Sequence, residues 1–433
     1  MTDIESIARE IKAVVGSEGV RESAISLLGA EAPFEVSPSD GETLARVLEL
    51  LLKNEAGAVV RGGGTHDGLG NKLGPVSIAL STLQLDGIEE FDEQDGVVRV
   101  LAGTRVSDLR ARVEGSGWDV ALDTSGLSSS DTSTVGGTLA AGAFGARRLG
   151  YGPPRDCVLG LDVALATGER THCGARVVKN VTGYDLQKLY CGSMGSLGVI
   201  EAAWLRLRPL PERVASLVVH IDSPSDPVGA TLGLSIARRS TARSVALLTP
   251  GSASAMGMPI LESVSGVGVS LVVEFAGPGA AVDEDVSWTR ARCEVDSAPD
   301  GVVEALSAFP SSRPGISARL AVLPSALSRC LVELQASGAA VVAHPGLGLV
   351  HAVWSSPEAI ATDEGSIVSE VARIASGVRA SFRFERLPMR HREARNIDVF
   401  GNLDRGPLQL MRSLKQKYDP AGVLNPGRSA GHI

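Results

Sequence analysis

Hydrophobic and polar positions along this chain follow two periods, and the change from one to the other falls at short glycine-rich breaks. In "SDGETLARVLELLLKN", Leu44, Val47, Leu48, Leu51 and Leu52 recur at helical spacing, and Asp40 stands where an N-cap belongs. The apolar run Ala58-Val59-Val60 predicts a strand, "VSIALS", "GVVRVLAG" and "WDVALD" predict further short strands, and "RVSDLRARVEG" predicts a helix. "DCVLGLDVALATGERTHC" predicts a hairpin turning at Thr167-Gly168, and "GVIEAAWLRLRPLPE" a strand ended by Pro209 and Pro211.

Beyond residue 212 the glycine loops thin out. "ASLVVHID", "VGATLGLSIARR", "SVALLTP", "GVSLVVEFAG" and "VVEALSAF" predict strands and helices in turn, a second α/β layer running to about residue 395. The final stretch, "GPLQLMRSLKQKYDPAGVLNPGR", predicts a helix with Leu408, Met411, and Leu414 or Lys415 on one side, then a Pro/Gly-rich hook. The pattern divides the chain into a helical lead-in (1–35), a glycine-rich α+β segment (36–212), the second layer (213–395) and a C-terminal helix and hook (396–433).

Composition narrows the classes of function. A chain of 433 residues exceeds one ordinary core, so about two to three domains are expected. The formal net charge of −9, with no long block of Lys or Arg, argues against nucleic acid or an anionic membrane surface as the main partner. The N-terminus is acidic where a signal peptide is basic, and no stretch reaches ~18 uncharged apolar residues, so a cytoplasmic protein without a membrane span is expected. Five cysteines lie far apart with no C-x-x-C, which gives no iron–sulfur or zinc motif.

The candidate chemistry lies in the glycines. "RGGGTHDGLGN" (61–71) follows a predicted strand but opens no helix and has Asp67 where the third glycine of a dinucleotide fingerprint stands. It lacks the Gly-Lys-Ser/Thr of a P-loop as well. What remains is a backbone nest, in which Gly62, Gly63, Gly64 and Thr65 turn their N–H groups toward one anion. A second glycine loop, Thr134-Val135-Gly136-Gly137-Thr138, and a third containing Gly192, Gly195 and Gly198 lie in the same segment. Three such loops suggest an extended diphosphate ligand.

The order "VVRGGGTHDGLGN", "TVGGTLAAGAFG", "KNVTGYDLQKLYCGSMGSLGVIEAAW" and "YDPAGVLNPGR" resembles the FAD-linked oxidases of the vanillyl-alcohol oxidase and p-cresol methylhydroxylase superfamily, and within it the FAD-binding subunits of bacterial glycolate oxidases. The resemblance implies an α+β fold: an FAD-binding domain of two α/β subdomains at 36–212, an α/β cap domain at 213–395, and a C-terminal hook returning to the flavin domain. It implies that Arg61, Gly62, Gly63, Gly64 and Thr65, with Thr134, Val135, Gly136, Gly137 and Thr138, hold the FAD pyrophosphate. By the same resemblance Gly195, Gly198, Val199 and Ile200 line the adenine side, and Asn425 approaches the flavin ring. Relatives that bind FAD covalently use a His that aligns with Thr65 here, one position before His66, so non-covalent FAD is expected.

The resemblance also implies oxidation of a short 2-hydroxy acid, with a second flavoprotein subunit and an iron–sulfur subunit as partners and contact with a membrane only through them. A second reading makes the chain an electron-relay and assembly subunit whose partner does the chemistry; Leu347 and Leu349, in place of polar family residues, lean that way. "AHPGLGLVHAVW" and "RFERLP" place His344, His351 and Glu385 where relatives carry a metal, though two histidines flanking strands also suit plain sheet positions. Arg386, Arg390, Arg392 and Arg395 offer a carboxylate clamp or a solvated basic face. In "KNVTGYD", Lys179 and Asp185 are expected to pair on the surface and Tyr184 to be core.

Overall fold

The computed structural model describes residues 4–124, 132–176, 184–221, 227–258, 269–311, 315–355, 365–395, 397–401 and 403–433. The helix Gly41–Lys53 begins where Asp40 accepts a hydrogen bond from the Thr43 N–H at 2.7 Å. Its periodic face, Leu44, Val47, Leu48 and Leu51, is fully buried. With the helix Ile4–Val15 it covers a four-stranded sheet of β1 (Val20–Leu27), β2 (Ala30–Val36), β3 (Ala58–Arg61) and β4 (Ile78–Ser81), ordered β1-β2-β4-β3. The lead-in is therefore only half helical. "VRESAISL" and "AEAPFEV" pair as an antiparallel hairpin, and β2 is carried into the sheet by parallel pairing with β4.

The second sheet contains β5 (Ile88–Asp92), β6 (Val97–Leu101), β7 (Trp118–Val120), β8 (Val158–Ala164), β9 (Arg170–Gly174) and β10 (Val199–Pro209). Its order is β5-β6-β10-β8-β9, with β7 pairing the end of β10. The long β10 is central and buried from Val199 to Leu205, as a strand paired on both sides and covered on both faces must be. The β8–β9 hairpin turns through Thr167-Gly168, where Gly168 takes φ +83°.

The third sheet has eight strands: β11 (Arg213–Ile221), β12 (Ala242–Leu248), β13 (Val269–Gly277), β14 (Val295–Ser297), β15 (Ile316–Ala321), β16 (Ala340–His344), β17 (Leu349–Trp354) and β18 (Ser381–Arg386). Every pairing is antiparallel, in the order β14-β11-β13-β12-β16-β17-β15-β18. Period-two alternation sends its apolar residues into two cores: Leu217, Val219, Val245 and Leu247 face one, and Val218, Ala246 and Leu248 face the other. The helices Leu327–Ala336 and Gly365–Gly377 fill the first core and Val302–Ala308 the second.

A buried ion-pair cluster joins this sheet to the preceding segment. Arg147 donates to both oxygens of Glu274 in β13 at 2.9 and 3.0 Å and to Glu304 at 2.6 Å, while Arg243 donates to Glu274 at 2.6 Å. The C-terminal hook crosses back to the first sheet: Leu424 bridges Ala58 beside β3, and the Ala58 N–H donates to the Val423 carbonyl at 2.7 Å. Among the described residues no helix is long and apolar enough to cross a membrane.

Candidate functional site

Three glycine-rich loops and the hook converge on one pocket. Its walls include Arg61 through Asp67, Thr134, Gly136, Gly137, Gly195, Gly198, Val199, Ile200 and Arg428. The first two loops touch through backbone. A Cβ at Gly63 would collide with the Thr132 carbonyl and one at Gly62 with the Thr134 hydroxyl, and Thr132 Oγ1 donates to the Gly63 carbonyl at 2.7 Å. Glycine is needed at 62 and 63 for this loop-to-loop contact, and at 64 for φ +80°.

The two loops differ in what they leave free. In the second, the Val135 and Gly136 N–H groups already donate to the carbonyls of Thr104 and Ala102 at 2.9 and 2.8 Å, and Gly137 donates to its cap Thr134 at 3.2 Å. In the first, no acceptor among the described residues meets the N–H groups of Gly62, Gly63, Gly64 or Thr65. The N–H groups still open to a ligand therefore lie in residues 62–65, and the second loop is the floor they rest on. Val135 and Thr138 are buried behind that floor and do not line the pocket.

Asn425 has a different task from an approach to a flavin ring. It is fully buried outside the pocket lining, accepts from the Val60 N–H at 3.0 Å and donates to the Met194 carbonyl at 2.8 Å. Both ends of its amide are spent tying the first and third loops together. A Cβ at Gly195 would lie 2.9 Å from its Nδ2. Lys415 and Asp419 brace the same corner: Lys415 donates to Asp419 at 2.6 Å and to the Leu424 carbonyl at 2.7 Å, and Asp419 accepts from the Val423 and Leu424 N–H groups at 2.8 Å each. Lys415 is thus the buried residue of its helix, whereas Met411 is exposed.

The pocket has the polarity that a diphosphate requires. Arg61 pairs with Asp67 at 2.7 Å, yet its buried Nε meets no partner among the described residues. Arg428, which sequence reasoning did not single out, donates to the carbonyls of Leu69 and His66 at 3.0 and 2.9 Å and holds the outer end of the first loop. Burial brings its guanidinium down to about 10, with Asp67 opposing. His66 lies beside Thr65, Nδ1 to Oγ1 3.0 Å.

A second cavity, about 130 Å³, opens from this pocket and shares Thr65, His66, Leu69 and Ala141 with it. Phe144, Arg319, His351, Arg383, Glu385 and Arg386 line it. His351 in β17 and Glu385 in β18 are brought together across β15, with Nδ1 and Oε2 3.1 Å apart. Burial acts most strongly on Glu385 and would raise its pKa. The charge and hydrogen bond of His351, then Arg319 and Arg383, more than offset this and hold the carboxyl well below the usual range. His344 stands edge-on to His351, ring centres 5.8 Å apart, with its Nδ1 3.3 Å from the Val245 carbonyl; burial and the neighbouring His351 bring it down to about 3, so it is neutral at pH 7. Among the described residues no three His, Cys, Asp or Glu side chains are grouped to hold a metal ion.

Several residues weighed from sequence lie elsewhere. Arg392 is buried and structural: it donates to the carbonyls of Gly68 and Leu387 at 2.8 Å each and to that of Gly70. Tyr184 is 91% exposed rather than core, and Asp185 pairs with Lys188 at 2.8 Å; Lys179 lies outside the described residues. The side chain of Arg395 is likewise outside them. Arg319 and Arg383 were invisible in the sequence because alternating strand positions such as "ISARLA" and "SFRFER" carry no motif.

Comparison with known proteins gives the chain its cofactor. Residues 32–174 match the family model of the FAD binding domain. The glycolate oxidase subunit GlcD of Bacillus subtilis is 24% identical over 91% of this chain and 88% of its own length. The chain is an FAD-linked oxidoreductase. A D-lactate dehydrogenase of Archaeoglobus fulgidus is 33% identical to this oxidoreductase over 47% of the chain and 45% of the relative. Among solved structures, p-cresol methylhydroxylase with substrate bound covers 98% of the oxidoreductase with a TM-score of 0.74 at 14% identity, and 96% of its own chain is matched. The fold of this oxidoreductase is therefore that of the p-cresol methylhydroxylase type, an FAD-binding α+β unit with a further α/β sheet.

Proposed function

We propose that this oxidoreductase converts a short 2-hydroxy acid, of the glycolate or D-lactate type, to the 2-oxo acid. The observation that carries this reading is the cationic, histidine-bearing cavity that opens directly into the glycine-loop pocket. Names of relatives that act on glycolate and D-lactate support the substrate class. In this reading the N–H groups of residues 62–65 and the guanidinium of Arg61 hold the pyrophosphate, with Thr134 to Thr138 as the supporting floor. Gly195, Gly198, Val199 and Ile200 form the adenine-side wall, and Asn425 fixes it in place. Domain boundaries at residues 36, 212 and 395 belong to the same proposal. FAD, when bound, supplies a two-electron acceptor for the hydride on the substrate's carbinol carbon.

The protein's own groups handle the proton and the charge. Glu385 fixes the proton of His351 on Nδ1, which leaves Nε2 to take the hydroxyl proton of the substrate. Arg319 and Arg383 set the substrate carboxylate by charge-assisted hydrogen bonds. Hydride and proton leave together in sum as two electrons and two protons, and the C–O single bond becomes a carbonyl. The electrons pass to an acceptor through a second flavoprotein subunit and an iron–sulfur subunit, a role suggested by the word subunit in the name of the Bacillus relative.

The test is His351→Gln, with the FAD content measured beside the rate. Anaerobic flavin reduction is expected to slow by roughly 10²- to 10⁴-fold with flavin content unchanged; an unaltered rate would remove His351 from the mechanism. A second reading, an electron-relay and assembly subunit, is the one favoured by Leu347 and Leu349 in place of polar residues.

A further inference from the structure

Behind the substrate cavity lies a much larger chamber, about 590 Å³. Arg319 and Arg383 line both spaces, and Met194 lines both the chamber and the glycine-loop pocket. The chamber walls are largely apolar: Leu197 from the third glycine loop, Leu349 from β17, Phe382 from the edge strand β18, Phe400, and Met411 and Leu414 from the C-terminal helix, with Lys415 and serines such as Ser196 and Ser381 among them. Its volume falls within the ~300–1,000 Å³ of pockets that take drug-sized molecules. The adjoining cavity of about 130 Å³ suits only a two- or three-carbon acid.

The cations at the junction are under-compensated. Arg148 lies with its guanidinium 3.8 Å over the ring of Phe144, and burial with the charges of Arg155 and Arg383 lowers its pKa. Arg319 and Arg383 share one carboxylate, Glu385, at 3.7 and 3.1 Å, and that carboxylate also holds His351. The Nε of Arg383 is buried and meets no partner among the described residues. Three guanidiniums facing one committed carboxylate leave room and charge for one more anion. An apolar chamber beginning at that anion site is the shape of a carboxylate with a tail.

Resting on the proposed oxidation but extending its substrate beyond the short acids, we infer that the preferred substrate is a 2-hydroxy acid with an extended apolar side chain, its carboxylate among Arg148, Arg319 and Arg383 and its tail in the chamber. Leu349 then has a use. It forms part of the tail wall.

Two measurements test this on the full FAD-loaded chain. Calorimetric titration with straight-chain fatty acids, which lack the hydroxyl and cannot turn over, is expected to show affinity rising roughly tenfold or more from butanoate to octanoate, since each buried methylene adds up to about fourfold. Ala321→Trp, placed at the exposed rim of the chamber, is expected to shorten the best-bound chain, and Arg148→Gln to weaken octanoate binding roughly tenfold. Equal affinity for butanoate and octanoate would overturn the inference, as would binding of a decyl-quinone in place of octanoate. Anaerobic mixing with 2-hydroxyoctanoate then separates the two claims. Octanoate bound with the flavin left oxidised by 2-hydroxyoctanoate and D-lactate alike would overturn the proposed oxidation and not the chamber. Reduction by D-lactate without any chain-length preference would overturn the chamber and not the oxidation.

Discussion

Gly63 carries the sharpest single-residue expectation. Its α-carbon lies so close to the Thr132 carbonyl that even a methyl group must push the two loops apart. Overpacking of that kind costs about 1–3 kcal/mol, so Gly63→Ala is expected to weaken FAD binding by roughly ten- to a hundredfold, read as flavin content after gel filtration. Retention of full flavin would show that the loops yield freely. Residue-scale features were legible in the sequence where a short motif carried them, as in the run of glycines 62–64. They were not legible where the partner lies hundreds of positions away. Asn425 looked like a residue facing a ligand, but Val60 and Met194 occupy its amide, and nothing local to "LNPG" announces either contact. Arg428 escaped notice for the same reason, and Arg319 and Arg383 because a single arginine within a strand has no spacing to read.

At the scale of elements, period and capping predicted the helix over Gly41–Lys53, the β8–β9 hairpin and the strand β10, which was expected to close its segment and is instead central to the second sheet. The β1–β2 hairpin was missed because its alternation is broken, with a register shift between Glu22 and Ile25 and only partial burial of β1. Sheet-to-segment contacts have no sequence signal at all, and the Arg147–Glu274–Arg243 cluster is the main one. Removing one partner of a buried pair costs ~3–5 kcal/mol; Arg147→Ala is expected near the lower end, since Arg243 remains, measured by chemical denaturation. The pH dependence follows from Glu274. Burial would raise its pKa, but the hydrogen bonds and charges of Arg147 and Arg243 lower it below the ordinary carboxylate value. Its contribution is therefore complete above the unfolded pKa of about 4.3 and is lost as pH falls through the lower folded value. The wild-type denaturation midpoint should carry no Glu274-dependent loss between pH 7 and 5, whereas in Arg147→Ala the loss should begin at a higher pH.

At the scale of the whole molecule, the glycine-loop pocket lies beside a charged cavity, and the hook ties the corner of the pocket to the first sheet. FAD held as proposed, by backbone groups and without a covalent bond, should leave the protein on denaturation. All flavin is expected in the supernatant after acid precipitation, and colour retained in the pellet would mean a covalent bond. The central claim is that this chain, with its own FAD and its own His351–Glu385 pair, oxidises a 2-hydroxy acid. The most direct measurement is to purify the chain alone, confirm a yellow flavin spectrum, and mix it anaerobically with glycolate, D-lactate and longer 2-hydroxy acids. The account predicts bleaching of the flavin absorbance by at least one of them without any partner protein. A yellow chain that none of them bleaches until a partner subunit is added would contradict it.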